Sequence, residues 1–488
     1  MPDQARLLEA LIDLVGRENV SNEPVDLIPY LRDSYAILMG RNIPLPDFVV
    51  LPETAEQVQV LVKLANDHTM PVYPRSFGVN IAGSALPYRG GLILDLKRMN
   101  RILEINEDTM TATIEPGVTW AKLRREARKK HLDIIPIGGP YQTSPVGNFL
   151  LTNITPYSTK YPADRAVTLE VVLPDGRFLR TGSQAAPFGH KLNPYFRYAY
   201  GPDLTGLFRG SLGNLGVVTK MVIRLRPLAE LEENLIYGFD RLDPALQALK
   251  KIERLEISRY SLLSNRFLLT HLLTRPADLK KKSERERVSG LFTPIVMTVG
   301  LGGKPRQVAL YEEMTDEEAA GLGGRRLELP PDVKADYDEF TEGCSQKVLR
   351  MYAPFSGFAA VIGCVPYGRI SEVHASVKRL VLSHDLKDAL TNDPLTPELI
   401  VVPYDRASTA YVEHEVLFDP LDEAAVKKVQ VCLRECYQEI VMKHGAVHTM
   451  PNRSLFKLMA PEYVALLRGL KNLVDPNGLF LAGGPYSF

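Results

Sequence analysis

Apolar positions along this chain follow two different periods. Val58, Leu61, Val62 and Ala65 fall at i, i+3, i+4 and i+7, one buried stripe of a helix, and Thr54 with Gln57 reads as the capping box that starts it. An earlier helix is expected over residues 5–15, with a Pro-rich connection after it. Beyond Pro71 the period shortens. PVYPRSFGVNIAGSA reads as a short strand entering a loop of small residues, and LILDL (92–96) and TATIEP (111–116) read as strands. Residues 168–182 (TLEVVLPDGRFLRTG) predict a hairpin with Pro174-Asp175-Gly176 as its turn. Met221, Ile223 and Leu225 alternate with Lys220, Arg224 and Arg226, a half-buried strand closed by Pro227. After Pro227 the character changes. Residues 229–290 read as strongly helical and charged, strands are expected at VMTVGL, FAAVIGCVP and YVEHEVLF, and a long helix runs over residues 422–444. Short strands mixed with helices on both sides of Pro227 predict two α+β domains.

Composition narrows the function without naming it. A length of 488 residues calls for more than one domain. Lys plus Arg and Asp plus Glu both number 58, and this zero net charge argues against nucleic acid or an anionic membrane as the partner. The apolar run 358–365 is far too short to span a bilayer, and acids inside the first apolar stretch argue against a signal peptide. A cytoplasmic enzyme is the expectation. Of the four cysteines, Cys432 and Cys436 share a helix face and read as small core residues rather than half of a metal or redox site, since no CxxC accompanies them. No metal is expected. The basic run 122–130 (KLRREARKK) is a solvated face or, in the sharper reading, a docking patch for an acidic redox partner.

Three glycine-bearing loops could hold an anion. Residues 74–84 (PRSFGVNIAGS) let consecutive amides converge, with Arg75 and Ser76 adding charge and a hydroxyl. The second loop is PVGN (145–148), leading to NITPY (153–157), and the third is GSLGNLG (210–216). None is a P-loop or a Rossmann fingerprint.

Longer segments carry a resemblance. Residues 99–120 (MNRILEINEDTMTATIEPGVTW), 169–182 (LEVVLPDGRFLRTG), 201–220 (GPDLTGLFRGSLGNLGVVTK) and 470–484 (LKNLVDPNGLFLAGG) are collinear with, and similar to, the vanillyl-alcohol oxidase and p-cresol methylhydroxylase family of FAD enzymes. The resemblance implies an α+β fold: a two-lobed FAD-binding domain (1–228) interrupted by an α+β substrate cap (229–449), with residues 450–488 returning to the first domain. It assigns Arg75, Ser76, Phe77, Gly78, Val79 and Asn80 to the pyrophosphate. Gly147, Asn148, Asn153, Thr155 and Tyr157 are assigned to the stretch passing the flavin ring, and Gly210, Ser211, Asn214, Gly216 and Val218 to the third FAD segment. Tyr157 is the expected ring-side catalytic group.

The chain also departs from the family pattern. Members that oxidise p-alkylphenols bind the phenolate with a Tyr that here falls near Ala82 and a Tyr-Arg pair that falls near Val447 and His448. Residues 134–163 contain no acid, where such members place one beside the flavin. A residue for covalent flavin attachment is not evident, Cys364 and Tyr367 being the local choices, so non-covalent FAD is expected. The HxDGNxH-like segment of the D-lactate and glycolate branch is missing as well. From the cap, His414 is the candidate base, on the strand face opposite Tyr411, Glu413 and Glu415. The expected function is an FAD-dependent dehydrogenase taking hydride from an activated C–H of a small alcohol, hydroxy acid or alkylphenol-like substrate. Electrons would pass to an iron–sulfur, cytochrome or electron-transfer flavoprotein partner, and a homo-oligomer is possible. The alternatives are a 2-hydroxy-acid dehydrogenase and a flavin-binding scaffold subunit.

Overall fold

The computed structural model describes residues 2–33, 38, 42–78, 83–135, 140–151, 165–187, 194–341, 357–389, 394–447 and 456–484. The chain is α+β, with helices packed on three sheets. The first comprises β1 (Val20–Ser21), β2 (Phe48–Val50), β3 (Val72–Arg75) and β4 (Leu92–Asp95) in the order β1-β2-β4-β3. β2, β4 and β3 run parallel. The helix Ala55–Asp67 buries the expected stripe, Val58, Leu61, Val62 and Ala65, in one core with Leu92 and Leu94. At about 1–3 kcal/mol per fully buried aliphatic side chain, that stripe holds the helix down. Its cap differs slightly from the predicted box: Thr54 Oγ1 accepts from the Gln57 amide at 3.1 Å, but Gln57 Oε1 accepts from the Glu53 amide at 2.7 Å. Beside β3 lies a segment more than 400 positions later in sequence. Val72 N–H donates to the Leu479 carbonyl, Leu481 N–H donates to the Val72 carbonyl (both 3.0 Å), and Tyr73 O–H donates to the Ala482 carbonyl at 2.7 Å.

The second sheet holds β5 (Ile102–Asn106), β6 (Thr111–Ile114), β7 (Leu132–Ile134), β8 (Ala166–Val172), β9 (Phe178–Arg180) and β10 (Val217–Pro227). Its order is β5-β6-β10-β8-β9, with β7 on the far end of β10. β8 and β9 form the predicted hairpin, Val172 facing Phe178. Along β10 the polar positions are not all wet. Arg226 is only 3% exposed, because its guanidinium donates to the Ile134 carbonyl at 2.9 Å and meets Asp133 at 3.3 Å. Arg124 and Arg128 reach the same carboxylate, each at 3.1 Å. The basic helix Trp120–Arg128 is thus largely matched to local acids, its C-terminal neighbours Lys129 and Lys130 pairing with Glu126 and Glu107.

The third sheet is antiparallel: β11 (Leu231–Phe239), β12 (Tyr260–Asn265), β13 (Ile295–Gly303), β14 (Arg325–Arg326), β15 (Gly357–Pro366), β16 (Glu398–Tyr404) and β17 (Thr409–Phe418), ordered β14-β11-β13-β12-β16-β17-β15. β11 and β12 lie inside the stretch expected to be helical. Most of their length is covered on both faces, so the apolar/polar alternation that marks a half-exposed strand is missing. One face packs on the helices Leu242–Arg254, Pro305–Ala320, Ile370–Ser383 and Glu423–His444. Cys432 and Cys436 lie in that core, their sulfurs 4.0 Å apart. The other face, with Phe358, Ala360, Ile362, Ile400, Val402 and Tyr411, forms one core with the helices Arg266–Leu273 and Pro331–Thr341 and with Tyr73, Ile93, Leu212 and Leu481. Among the described residues no helix is long and apolar enough to cross a membrane.

Candidate functional site

Three of the loops singled out by sequence converge on one cleft. The empty space between them is about 760 Å³ with the open solvent at its mouth included. Arg75, Ser76, Phe77 and Gly78 form one wall, Gly147 and Asn148 the next, and Gly216 and Val218 the third. Gly210, Ser211 and Asn214 belong to the third loop but do not line the cleft. Val79, Asn80, Asn153, Thr155 and Tyr157 lie outside the described residues, as do Ala82 and His448.

Local chemistry shapes each wall. Gly78 has φ +68, and the Arg75 guanidinium folds across its α-carbon into the space a side chain would occupy. The same guanidinium stacks over the Tyr30 ring, 4.9 Å from its centroid, while Tyr30 O–H donates to Asp95 at 2.7 Å. Ser144 Oγ accepts from the amides of Val146 and Gly147 at 3.2 and 3.3 Å, which starts the short helix Pro145–Leu150. Asn148 is fixed through its carboxamide oxygen, which accepts from Trp120 Nε1 at 2.6 Å and from Thr143 Oγ1 at 3.2 Å. In the third loop Leu212 (φ 57), Gly213 (φ 92) and Gly216 (φ 136) all sit in the left-handed region. A β-carbon on Gly216 would stand 2.5 Å from the Val172 carbonyl oxygen. Gly216→Ala is therefore expected to weaken both folding and FAD binding, read as a lower melting temperature and at least a tenfold higher Kd for FAD, about 1.4 kcal/mol; an unchanged Kd would contradict this.

These features suit a dinucleotide. Glycine backbone from three loops faces the cleft, and Ser76, Ser144 and Asn148 add short polar side chains to its lining.

The sheet face turned toward this region carries an acid cluster that the sequence reading passed over. Glu398 on β16 lies opposite Glu415 on β17, and Glu413 lies opposite Ile400. All three carboxyls are buried. Tyr411 O–H donates to Glu413 at 2.7 Å. Burial pushes the Glu413 carboxyl up to about 7, the Tyr411 hydrogen bond pulling down and Glu398 pushing further up. Burial, with Glu413 and Glu398 beside it, holds Glu415 well above the usual carboxylate range. Glu398 also meets His271 Nδ1, whose other nitrogen is 3.6 Å from Asp388. Burial lowers His271, but Glu398 and Asp388 outweigh it and raise it. Acids embedded in the apolar runs ELIVVPY and YVEHEVLF were the available signal.

His414 is on the other face. Its Nε2 lies 3.0 Å from His374 Nδ1, the rings stacked with centroids 5.2 Å apart. Burial drives His374 down to about 4 and His414 well below the ordinary imidazole value. The pair is a neutral packing element against the helix Ile370–Ser383, so His414 is not brought to the cleft. Strand alternation makes this unavoidable once Glu413 faces the other way. Tyr367 is likewise turned to the helix layer, donating to the Leu246 carbonyl at 2.8 Å. Cys364 packs on the cleft-side core near Arg209, and burial pushes its thiol up to about 11.

Known proteins similar to this chain indicate its family. A family model for an FAD binding domain matches residues 46–182. The glycolate oxidase subunit GlcD of Bacillus subtilis (strain 168) is 32% identical over 247 residues, 50% of each chain, so the chain spans about half the length of that relative. The flavoprotein subunit of 4-cresol dehydrogenase [hydroxylating] from Pseudomonas putida is 35% identical over 508 residues, covering 96% of this chain and 93% of that one. Among solved structures, p-cresol methylhydroxylase with substrate bound superposes with a TM-score of 0.83 at 23% identity over 99% of this chain and 96% of that one. The 4-ethylphenol oxidase of Gulosibacter chungangensis superposes at 0.82 with 21% identity, over 100% and 98%. A near-full-length match at this identity, with the same fold, establishes that the chain belongs to the vanillyl-alcohol oxidase and p-cresol methylhydroxylase family of FAD-dependent oxidoreductases.

Proposed function

We propose that this protein is an FAD-dependent dehydrogenase of a small neutral substrate with an activated C–H, an aromatic or benzylic alcohol or an alkylphenol. The observation that carries this reading is the Tyr411–Glu413 pair on the sheet face that shares one core with Tyr73, Ile93 and Leu212 of the cofactor domain. Bound flavin supplies the hydride acceptor. Glu413 accepts the substrate's O–H proton, and its carboxyl near 7 is matched to that task at neutral pH. It supplies the acid that residues 134–163 lack. Tyr411 fixes the orientation of that carboxylate. The apolar lining of the same face keeps water away from the reacting carbon. Tyr157 is assigned to the ring by resemblance alone.

The division into an FAD-binding domain (1–228), a cap (229–449) and a returning segment (450–488) accompanies this reading. It is supported by a third sheet drawn wholly from residues 231–418 and by the pairing of residues 479–481 with Val72. FAD is held non-covalently, since Tyr367 faces away and Cys364 stays a thiol. Electrons leave to a separate acceptor protein, as the named relative's designation as a flavoprotein subunit suggests. The half-length glycolate oxidase match supports a 2-hydroxy-acid reading instead. Against it, Glu398, Glu413 and Glu415 are buried on the cleft-side sheet face, where they would oppose a substrate carboxylate, and His271 beside them is already held between Glu398 and Asp388.

The deciding experiment is anaerobic reduction of the purified yellow protein by a panel of substrates. Benzylic alcohols or alkylphenols are expected to bleach the flavin and D-lactate or glycolate to leave it oxidised. Bleaching by hydroxy acids alone would reverse the order of the two readings, and a colourless protein that takes up no FAD would defeat both.

A further inference from the structure

One buried cation lies behind the cofactor cleft with no role in the chemistry above. Lys471, on the helix Pro461–Val474, is 5% exposed. Its ammonium donates to the Asn214 carbonyl at 2.8 Å and to the Phe480 carbonyl at 3.0 Å, and pairs with Asp475 at 2.6 Å. Asp475 in turn accepts from the amides of Leu479 and Phe480 at 3.1 and 3.0 Å. The single ammonium therefore grips two structures at once, the third cofactor loop and the hook 475–482.

Each of these is tied to a wall of the cleft. Asn214 stands two residues before Gly216, which lines it. The hook hydrogen-bonds to Val72 on both sides, and β3 runs from Val72 into Arg75 at the opposite wall. The third loop also needs support. Leu212 is left-handed without being glycine, and such backbone persists only where its surroundings over-determine it. The Leu212 amide is held by the Leu150 carbonyl, and the Asn214 carbonyl by Lys471.

We propose, resting on the FAD reading above, that Lys471 is a positioning residue that sets the spacing between the two walls, so that docking of the hook at 475–482 and binding of the dinucleotide are thermodynamically coupled. Coupling of this kind is reciprocal: whatever the hook does for FAD affinity, FAD does for hook stability. A purely structural lysine would stabilise the fold without making the hook respond to the cofactor.

Two measurements on the full chain test this. In the wild-type protein, adding FAD should slow amide hydrogen exchange at residues 479–481, although the hook is not part of the cleft lining. No slowing in protein that has taken up FAD overturns the coupling while leaving the cofactor reading intact. Failure to take up FAD overturns both. The second measurement uses the double variant Lys471→Met/Asp475→Asn, which removes both charges together while the new carboxamide keeps an acceptor for one of the two hook amides. The apoprotein is expected to fold, with a Kd for FAD, from flavin fluorescence, at least tenfold higher and with the exchange response lost. A Kd within twofold of wild type for the folded variant overturns the proposal.

Discussion

Glu413→Gln should lower the rate of anaerobic flavin reduction by about 100- to 10,000-fold, the usual contribution of a positioned general base, with FAD content and melting temperature kept. Gln is nearly isosteric and retains an acceptor for Tyr411 O–H, so the loss would report proton transfer rather than collapse. The wild-type pH profile carries the sign. A base works only when deprotonated, and Glu413 is raised to about 7. Reduction should therefore rise with pH through about 7 and level off above it. In the Gln variant that limb should vanish. Stopped-flow reduction between about pH 5 and 9 measures both, and an unchanged rate with an unchanged limb would move the base elsewhere.

The largest stability effect is expected at Asp133. Its carboxylate is 1% exposed and is met by Arg124, Arg128 and Arg226 within 3.3 Å. Glu232 of β11 joins the same network through Arg226, Arg128 and Arg259. Asp133→Ala leaves Arg226 buried with only Glu232, at 3.6 Å, to balance it. Removing one partner of a buried pair typically costs about 3–5 kcal/mol, and denaturant unfolding of the holoprotein should show a loss of that order. Burial alone would raise Asp133, but the three arginines outweigh it and hold the carboxyl below its usual value. Its contribution is therefore complete above the unfolded pKa of about 4 and disappears as pH falls through the lower folded value. The wild type should lose stability on acidification below about pH 4 more steeply than the variant. Parallel curves would mean that the network is not coupled to folding.

Much of the cofactor cleft was legible because its residues carry local constraints. Gly78 and Gly216 occupy backbone that side chains resist, and such glycines mark loops in sequence. Strand and helix patterns before Pro227 were readable for the same reason: their periods are local. The cap was harder. β11 and β12 went unread because most of each strand is covered on both faces, and Arg226 reads as wet in sequence because its partner Asp133 lies 93 residues away. His414, the candidate base in sequence, stands against His374 on the face opposite Glu413. Sequence alternation told which residues share a face, but not which face the cofactor domain would cover. Lys471 gave no signal, since a lysine near the end of a surface helix reads as solvated until the carbonyls of Asn214 and Phe480 are seen around it.

The joining of residues 479–482 to β3 has a consequence for how the protein is made. Tyr73 and the Ala482 carbonyl it bonds are 409 positions apart. While the chain is being translated, one edge of β3 stays unpaired until the whole third sheet has emerged and residues 479–482 follow. Nascent chains stalled within the third sheet should thus be protease-sensitive around β3 and unable to retain FAD, and chaperone demand should fall at that late point.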